Sequence, residues 1–84
     1  MQTDIYLEIK NLEGDILQTE DNIIEFLGKN YDEGIKRSLH QLESDLKYLS
    51  ILANGAPIEK NEDRKIMDFL RTHYNHFQKL SVLA

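Results

Sequence analysis

The stretch that decides the fold is IYLEIKNLEGDILQTEDNIIEF, residues 5–26. Its apolar residues recur at alternating steps of three and four, the spacing that places side chains on one face of an α-helix. These positions are Ile5, Ile9, Leu12, Ile16, Ile23 and Phe26, with Thr19 in the one polar slot. In heptad notation they are the a and d positions, sustained over three repeats. We call such an apolar face the seam of its helix. We therefore predict a long amphipathic helix over about residues 4–27.

Two further stretches repeat the spacing, and they predict a second helix over about residues 31–53 and a third over about 61–82. The apolar set of the second helix is Ile35, Leu39, Leu42, Leu46, Leu49 and Ala53. That of the third is Ile66, Met67, Phe69, Leu70, Tyr74, Phe77 and Leu80, with His73 at a seam position. Gly28 suits a left-handed residue after the first helix. The second helix should end at Asn54-Gly55, which offers another left-handed candidate, with Pro57 close behind.

The predicted fold class is all-α, a small antiparallel three-helix bundle with up-down-up topology, forming one domain over residues 1–84. Short connections between helices favour antiparallel neighbours. If the first helix breaks near Gly14 or Thr19, the bundle has four helices instead. The chain has 84 residues and no cysteine, so its stability should rest on packing without disulfides.

The charge is unevenly distributed along the chain. Residues 1–33 carry nine acids and two bases, a net charge of −7, whereas the other 51 residues carry six acids and eight bases, a net charge of +2. Because phosphate binding needs clustered Lys and Arg, we expect no nucleic-acid partner. With no apolar run near the roughly 18 residues of a membrane span and no leader pattern, we expect a cytoplasmic protein without membrane contact.

Two surfaces are candidates for binding a partner. The first is an acidic face on helix 1 that would suit a basic protein, formed by Glu13, Asp15, Glu20, Asp21 and Glu25. The second is an apolar face that would suit a protein partner or a homodimer, formed by Leu17, Ile24, Leu27, Phe69 and Tyr74. The alternatives are that the acids serve solubility and that the aromatic residues of helix 3 fill the core.

The histidines offer the remaining chemistry. His73 and His76 lie three residues apart and therefore share a side of helix 3, a spacing that metal sites use. A zinc site needs three or four ligands, yet the chain has no Cys and no Glu-x-x-His, so we expect no metal and no cofactor.

His40, predicted to be exposed with Glu43 three residues on, is a candidate phosphorelay histidine. No nucleophile with a recognisable base is present, so we expect no enzyme.

The sequence thus predicts a non-enzymatic protein-binding module, a small acidic helical protein that inhibits, protects or chaperones a larger protein. Small inhibitors, immunity proteins, antitoxins, anti-defence proteins and secretion chaperones are built this way. One alternative is a self-assembling structural homodimer with no separate ligand. The other is a histidine phosphorelay or metal-binding helical domain.

Overall fold

The computed structural model describes residues 3–84, with side chains from residue 5 onward, as three α-helices. These are α1 (Thr3–Gly28), α2 (Asp32–Gly55) and α3 (Lys60–Leu83). Each end lies within two residues of the expected range, which is the usual uncertainty of helix ends. The described part of the chain contains no strand. Since α1 runs unbroken through Gly14 and Thr19, the four-helix alternative is wrong.

The helices alternate in direction, which confirms the up-down-up bundle. The Tyr48 hydroxyl, near the end of α2, lies 2.6 Å from Oε1 of Glu8, near the start of α1. The Tyr6 hydroxyl of α1 lies 3.3 Å from Oε2 of Glu62, so α1 and α3 start at the same end. The molecule measures 42 × 22 × 15 Å, about one helix long. The closest packing is between α1 and α2, followed by α2 and α3, while α1 and α3 approach each other least.

The core is built from the predicted seams. The a positions Ile9, Ile16 and Ile23 of α1 are completely buried. The other buried apolar residues are Leu12, Ile35, Leu42, Leu46, Leu49, Ala53, Ile66 and Leu70. The partly buried rings of Phe69, Tyr74 and Phe77 pack against this cluster. Core packing therefore accounts for these aromatic residues of α3.

The turn between α1 and α2 differs from the expectation in one respect. The left-handed residue is Asn30, with φ of 55°, and no glycine has a positive φ. The Tyr31 amide donates to the Phe26 carbonyl at 3.0 Å and the Asn30 amide to the Leu27 carbonyl at 3.3 Å. These two bonds form a Schellman motif in which Asn30 is the residue after the cap. Gly28 is still helical, so its predicted left-handed role is wrong.

Pro57 explains where α2 ends and the connection to α3 begins. Ala56, which caps α2, is extended, with φ of −91° and ψ of 139°. The residue before a proline is pushed out of the helical region by the proline ring, so Pro57 is sufficient to end α2. Gly55 does not adopt the left-handed conformation that we expected of this segment.

Gly34 allows α2 to begin directly against the end of α1. It is buried, and a Cβ atom added to it would lie 2.6 Å from the ring of Tyr31 and 2.9 Å from that of Phe26. Those two rings pack edge to face, with centroids 5.3 Å apart. A larger residue at position 34 would have to displace at least one of the rings.

No helix in the described residues combines the length and the apolar character that crossing a membrane would require.

Candidate functional site

Three ionisable side chains from α1 and α3 meet at the edge of the core. They are Glu20, His73 and His76, which we call the Glu20 cluster. The Oε2 atom of Glu20 lies 2.8 Å from Nδ1 of His73 and 3.2 Å from Nδ1 of His76. Glu20 is 7% exposed and His73 8%, whereas His76 is exposed. One carboxylate oxygen therefore faces two imidazole nitrogens, and each nitrogen can donate to it when protonated.

The heptad position of Glu20 explains this arrangement. Glu20 occupies an e position, immediately beside the seam, on the flank of α1 that α3 covers. His73 and His76 are separated by three residues on α3 and therefore project from the same side. The Phe69 ring lies against the His73 imidazole, with centroids 4.1 Å apart, and the two imidazoles meet edge to face at 5.0 Å. The donor atoms are thus held in place by packing as well as by hydrogen bonds.

Glu20 was expected on an outer acidic face, and that placement is wrong because the residue is buried. A buried carboxylate is costly unless hydrogen-bonded partners satisfy it, and here the two histidines do so. Among the residues that the structure describes, no buried polar side-chain atom lacks a partner. The seam position predicted for His73 is confirmed by its burial. The signal that could have revealed the pair was this seam histidine, because a buried imidazole needs a polar neighbour.

The other four acids of the predicted acidic face do not share one surface. Glu13 is partly buried and pairs with Lys10 at 3.3 Å. Asp15 lies on the flank of α1 that faces α2. Only Asp21 and Glu25 are exposed on the outer side of α1. The predicted acidic face is therefore reduced to these two residues.

Lys10 connects the start of α1 to the start of α3. Its Nζ atom lies 3.9 Å from Oε2 of Glu62 and 5.3 Å from the centroid of the Tyr6 ring. Partial burial lowers the pKa of Lys10, but the carboxylates of Glu13 and Glu62 outweigh that effect and raise the pKa above its ordinary value. This end of the molecule thus has its own polar link between α1 and α3.

The predicted apolar face is also smaller than expected. Leu17 is 47% exposed and Ile24 60%. Leu27, Phe69 and Tyr74 are partly buried and pack against the core. These three residues therefore do not extend the exposed apolar surface.

A groove between α1 and α3 joins the Glu20 cluster to this exposed surface. Its volume is about 250 Å³, and its lining residues are Glu20, Ile24, His76, Lys79 and Leu80. Two members of the cluster thus reach the groove, so solvent and small solutes can approach them. His40 lies elsewhere, exposed on α2 as predicted, and its phosphorelay role stays a prediction.

With the geometry described, the class of protein is an all-α, antiparallel three-helix bundle with a polar cluster between its first and third helices. Comparison with protein-family models, with curated proteins and with solved structures yields no significant match. Inferences about function therefore rest on the geometry of these residues.

Proposed function

We propose that this protein is a non-enzymatic protein-binding module that binds a basic surface of a larger protein through the outer side of α1. Four residues form what we call the outer surface: Leu17, Asp21, Ile24 and Glu25. All four are exposed, and they follow one another at steps of one, three and four, so they adjoin on the helix. The observation that supports the proposal most directly is this mixture of exposed apolar and acidic side chains.

The apolar members supply contact area. Ile24, in the C-terminal part of α1, exposes 60% of its surface. Complete burial of a fully exposed Ile side chain contributes roughly 1.5–3 kcal/mol, so a partner that covers the exposed part of Ile24 would gain roughly 1–2 kcal/mol. Leu17 lies two turns before Ile24 on the same stripe, so a partner helix or loop that contacts one residue can also contact the other.

The acidic members supply the preference for a basic partner. Among the residues that the structure describes, Asp21 makes no ion pair, and Glu25 pairs only with Lys29, the residue that follows the end of α1, at 3.0 Å. An exposed pair of this kind contributes little and exchanges readily for another partner. The net charge of −7 over residues 1–33 adds a long-range attraction that accelerates association with a basic surface. A partner whose basic surface binds nucleic acid would be inhibited or protected by such a module.

The test compares two double charge reversals. Asp21→Lys with Glu25→Lys changes the outer surface, and Glu43→Lys with Asp68→Lys makes the same change in net charge on α2 and α3. Proteins captured from a cell extract by the wild type are identified, and their affinities for the purified variants are measured. We expect the outer-surface variant to bind at least about tenfold more weakly and the control variant to bind as the wild type does, with affinity falling as salt rises. Equal binding by both variants would contradict the proposal.

A mass measurement in solution tests the alternative homodimer. The measurement is made on the wild type and on the double variant Leu17→Ser with Ile24→Ser. If the wild type is a dimer and the double variant is a monomer, a second copy of the chain occupies the outer surface. That result would overturn the proposal of a separate basic partner.

A further inference from the structure

The Glu20 cluster has the composition and spacing of a metal site. One potential ligand atom from each of Glu20, His73 and His76 lies within 4.8 Å of those from the other two. Two imidazole nitrogens with one carboxylate oxygen form a ligand set that zinc proteins use, with three protein ligands and a fourth position left open. We propose that the Glu20 cluster binds a divalent transition-metal ion, with Zn²⁺ as the best match.

The distances are close to those that the ion requires. Zinc binds His nitrogen at about 2.0–2.1 Å and carboxylate oxygen at about 2.0–2.2 Å, which places tetrahedral donors about 3.3 Å apart. The Glu20 Oε2 atom lies 2.8 Å from His73 Nδ1 and 3.2 Å from His76 Nδ1. Glu20 Oε2 and His76 Nδ1 already have this spacing, whereas Glu20 Oε2 and His73 Nδ1 would have to separate by about 0.5 Å. The two imidazoles would also have to bring their ligand nitrogens, which lie within 4.8 Å of each other, to about 3.3 Å as the ion replaces the hydrogen bonds.

The ligand types select the metal. Imidazole nitrogen favours zinc and its neighbours in the transition series, whereas Mg²⁺ and Ca²⁺ prefer sites made of oxygen alone. The buried Glu20 carboxylate provides a negative charge for the cation. Lys79 also borders the groove, but its side chain is exposed and its flexible stem can direct the ammonium into solvent.

The position of the cluster gives the ion a structural effect. Two ligands come from α3 and one from α1, the two helices that approach each other least. A metal ion at this point joins them directly, and any ligand that binds only the folded state stabilises that state. The groove at Glu20 and His76 leaves the fourth coordination position accessible to water.

The experiment measures zinc binding by the untagged protein, using calorimetry and the thermal midpoint of unfolding, Tm. We expect one Zn²⁺ per chain and, at a free zinc concentration 100 times Kd, a rise in Tm of roughly 10–20 °C. Mg²⁺ and Ca²⁺ should leave Tm unchanged. Failure of millimolar Zn²⁺ to bind the wild type would overturn the proposal, and this result is independent of the binding test for the outer surface.

Three variants locate the ion. His76→Gln alters an exposed ligand and should fold normally, and Glu20→Gln keeps the shape of the side chain while removing its charge. Each should raise the Kd for zinc at least about tenfold, whereas His40→Gln, the matched control on α2, should leave it unchanged. Undiminished binding by His76→Gln, or loss of binding in His40→Gln, would place the ion elsewhere and refute the assignment.

A spectroscopic measurement covers the case in which Glu20→Gln does not fold. Co²⁺ substitutes for Zn²⁺ in four-coordinate sites, and the intensity of its visible absorption reports low coordination number. We expect that absorption in the wild type and in His40→Gln, and its loss in His76→Gln. The same spectrum in all three proteins would contradict the proposal.

Discussion

Oε2 of Glu20 on α1 lies 2.8 Å from Nδ1 of His73 on α3, and both side chains are almost fully buried. In the described part of the chain these are the two buried polar side chains. Each side chain provides a hydrogen-bond partner for the other. Removing one therefore leaves the other buried without a full set of hydrogen bonds. We therefore expect the pair to favour one alignment of α1 with α3, because a shift along the helix would separate the two side chains.

Glu20→Leu should destabilise the protein, because it leaves His73 unpaired. We expect a loss of about 1–3 kcal/mol in the free energy of unfolding. Glu20→Leu with His73→Leu should recover most of that loss, since apolar replacement of both partners is often neutral or stabilising. Denaturant midpoints of Glu20→Leu, of His73→Leu and of the double variant test this expectation. Simple addition of the two single effects would show that the side chains are not coupled.

Gly34→Ala should destabilise the protein, in contrast to Gly14→Ala. The new methyl group at position 34 would overlap the rings of Tyr31 and Phe26, and overpacking of this kind costs about 1–3 kcal/mol. The space around Gly14 is open, so alanine there should stabilise the helix by about 0.5–1 kcal/mol. Thermal unfolding of both variants gives the comparison. Gly34→Ala combined with Tyr31→Ala provides the control, because removing the ring should relieve part of the overlap.

Asn30→Gly should maintain or increase stability, and Asn30→Ala should reduce it by about 1 kcal/mol. The reason is the left-handed backbone at this residue, which glycine adopts freely and alanine does not. Gly28→Ala should not be destabilising, because Gly28 is helical and its surroundings are open. Denaturant unfolding of the three variants distinguishes the roles of the two positions. A larger loss for Gly28→Ala than for Asn30→Ala would contradict the observed turn.

Tyr48 provides a prediction about pH. Its hydrogen bond to the Glu8 carboxylate raises the pKa of the Tyr48 phenol above the ordinary 10.0. The contribution of this contact to stability is therefore present below pH 10 and is lost as the pH rises through the raised pKa. Glu8→Gln should return the pKa towards 10, as measured by tyrosinate absorbance. Tyr48→Phe assigns the raised pKa to Tyr48, because the absorbance titration of this variant should lack the tyrosine that ionises above pH 10 in the wild type.

The seams were predictable from the sequence because apolar periodicity is a local property. Ile9, Ile16 and Ile23 are buried as their spacing indicates. The face of α1 that α3 covers depends on how the third helix crosses the first two, and short connections do not determine that. For this reason Glu20 was assigned to the outside, although only Asp21 and Glu25 of the predicted acids lie on the outer surface.

The turn between α1 and α2 is a second feature that could not be predicted in full from the sequence. Composition favours Gly28 as the left-handed residue, but the hydrogen bonds of the Schellman motif select Asn30, two residues later. The choice depends on where α1 ends, and helix ends are the least certain part of a prediction from sequence.

The unequal packing of the three helices has a consequence for partial unfolding. Because α1 and α2 share the closest packing, we expect α3 to detach before the α1–α2 hairpin opens. Amide hydrogens of α3 should then exchange with solvent faster than those at the centres of α1 and α2. A protease should cut first between residues 56 and 59, and the released third helix would leave the apolar side of the hairpin open to another helix.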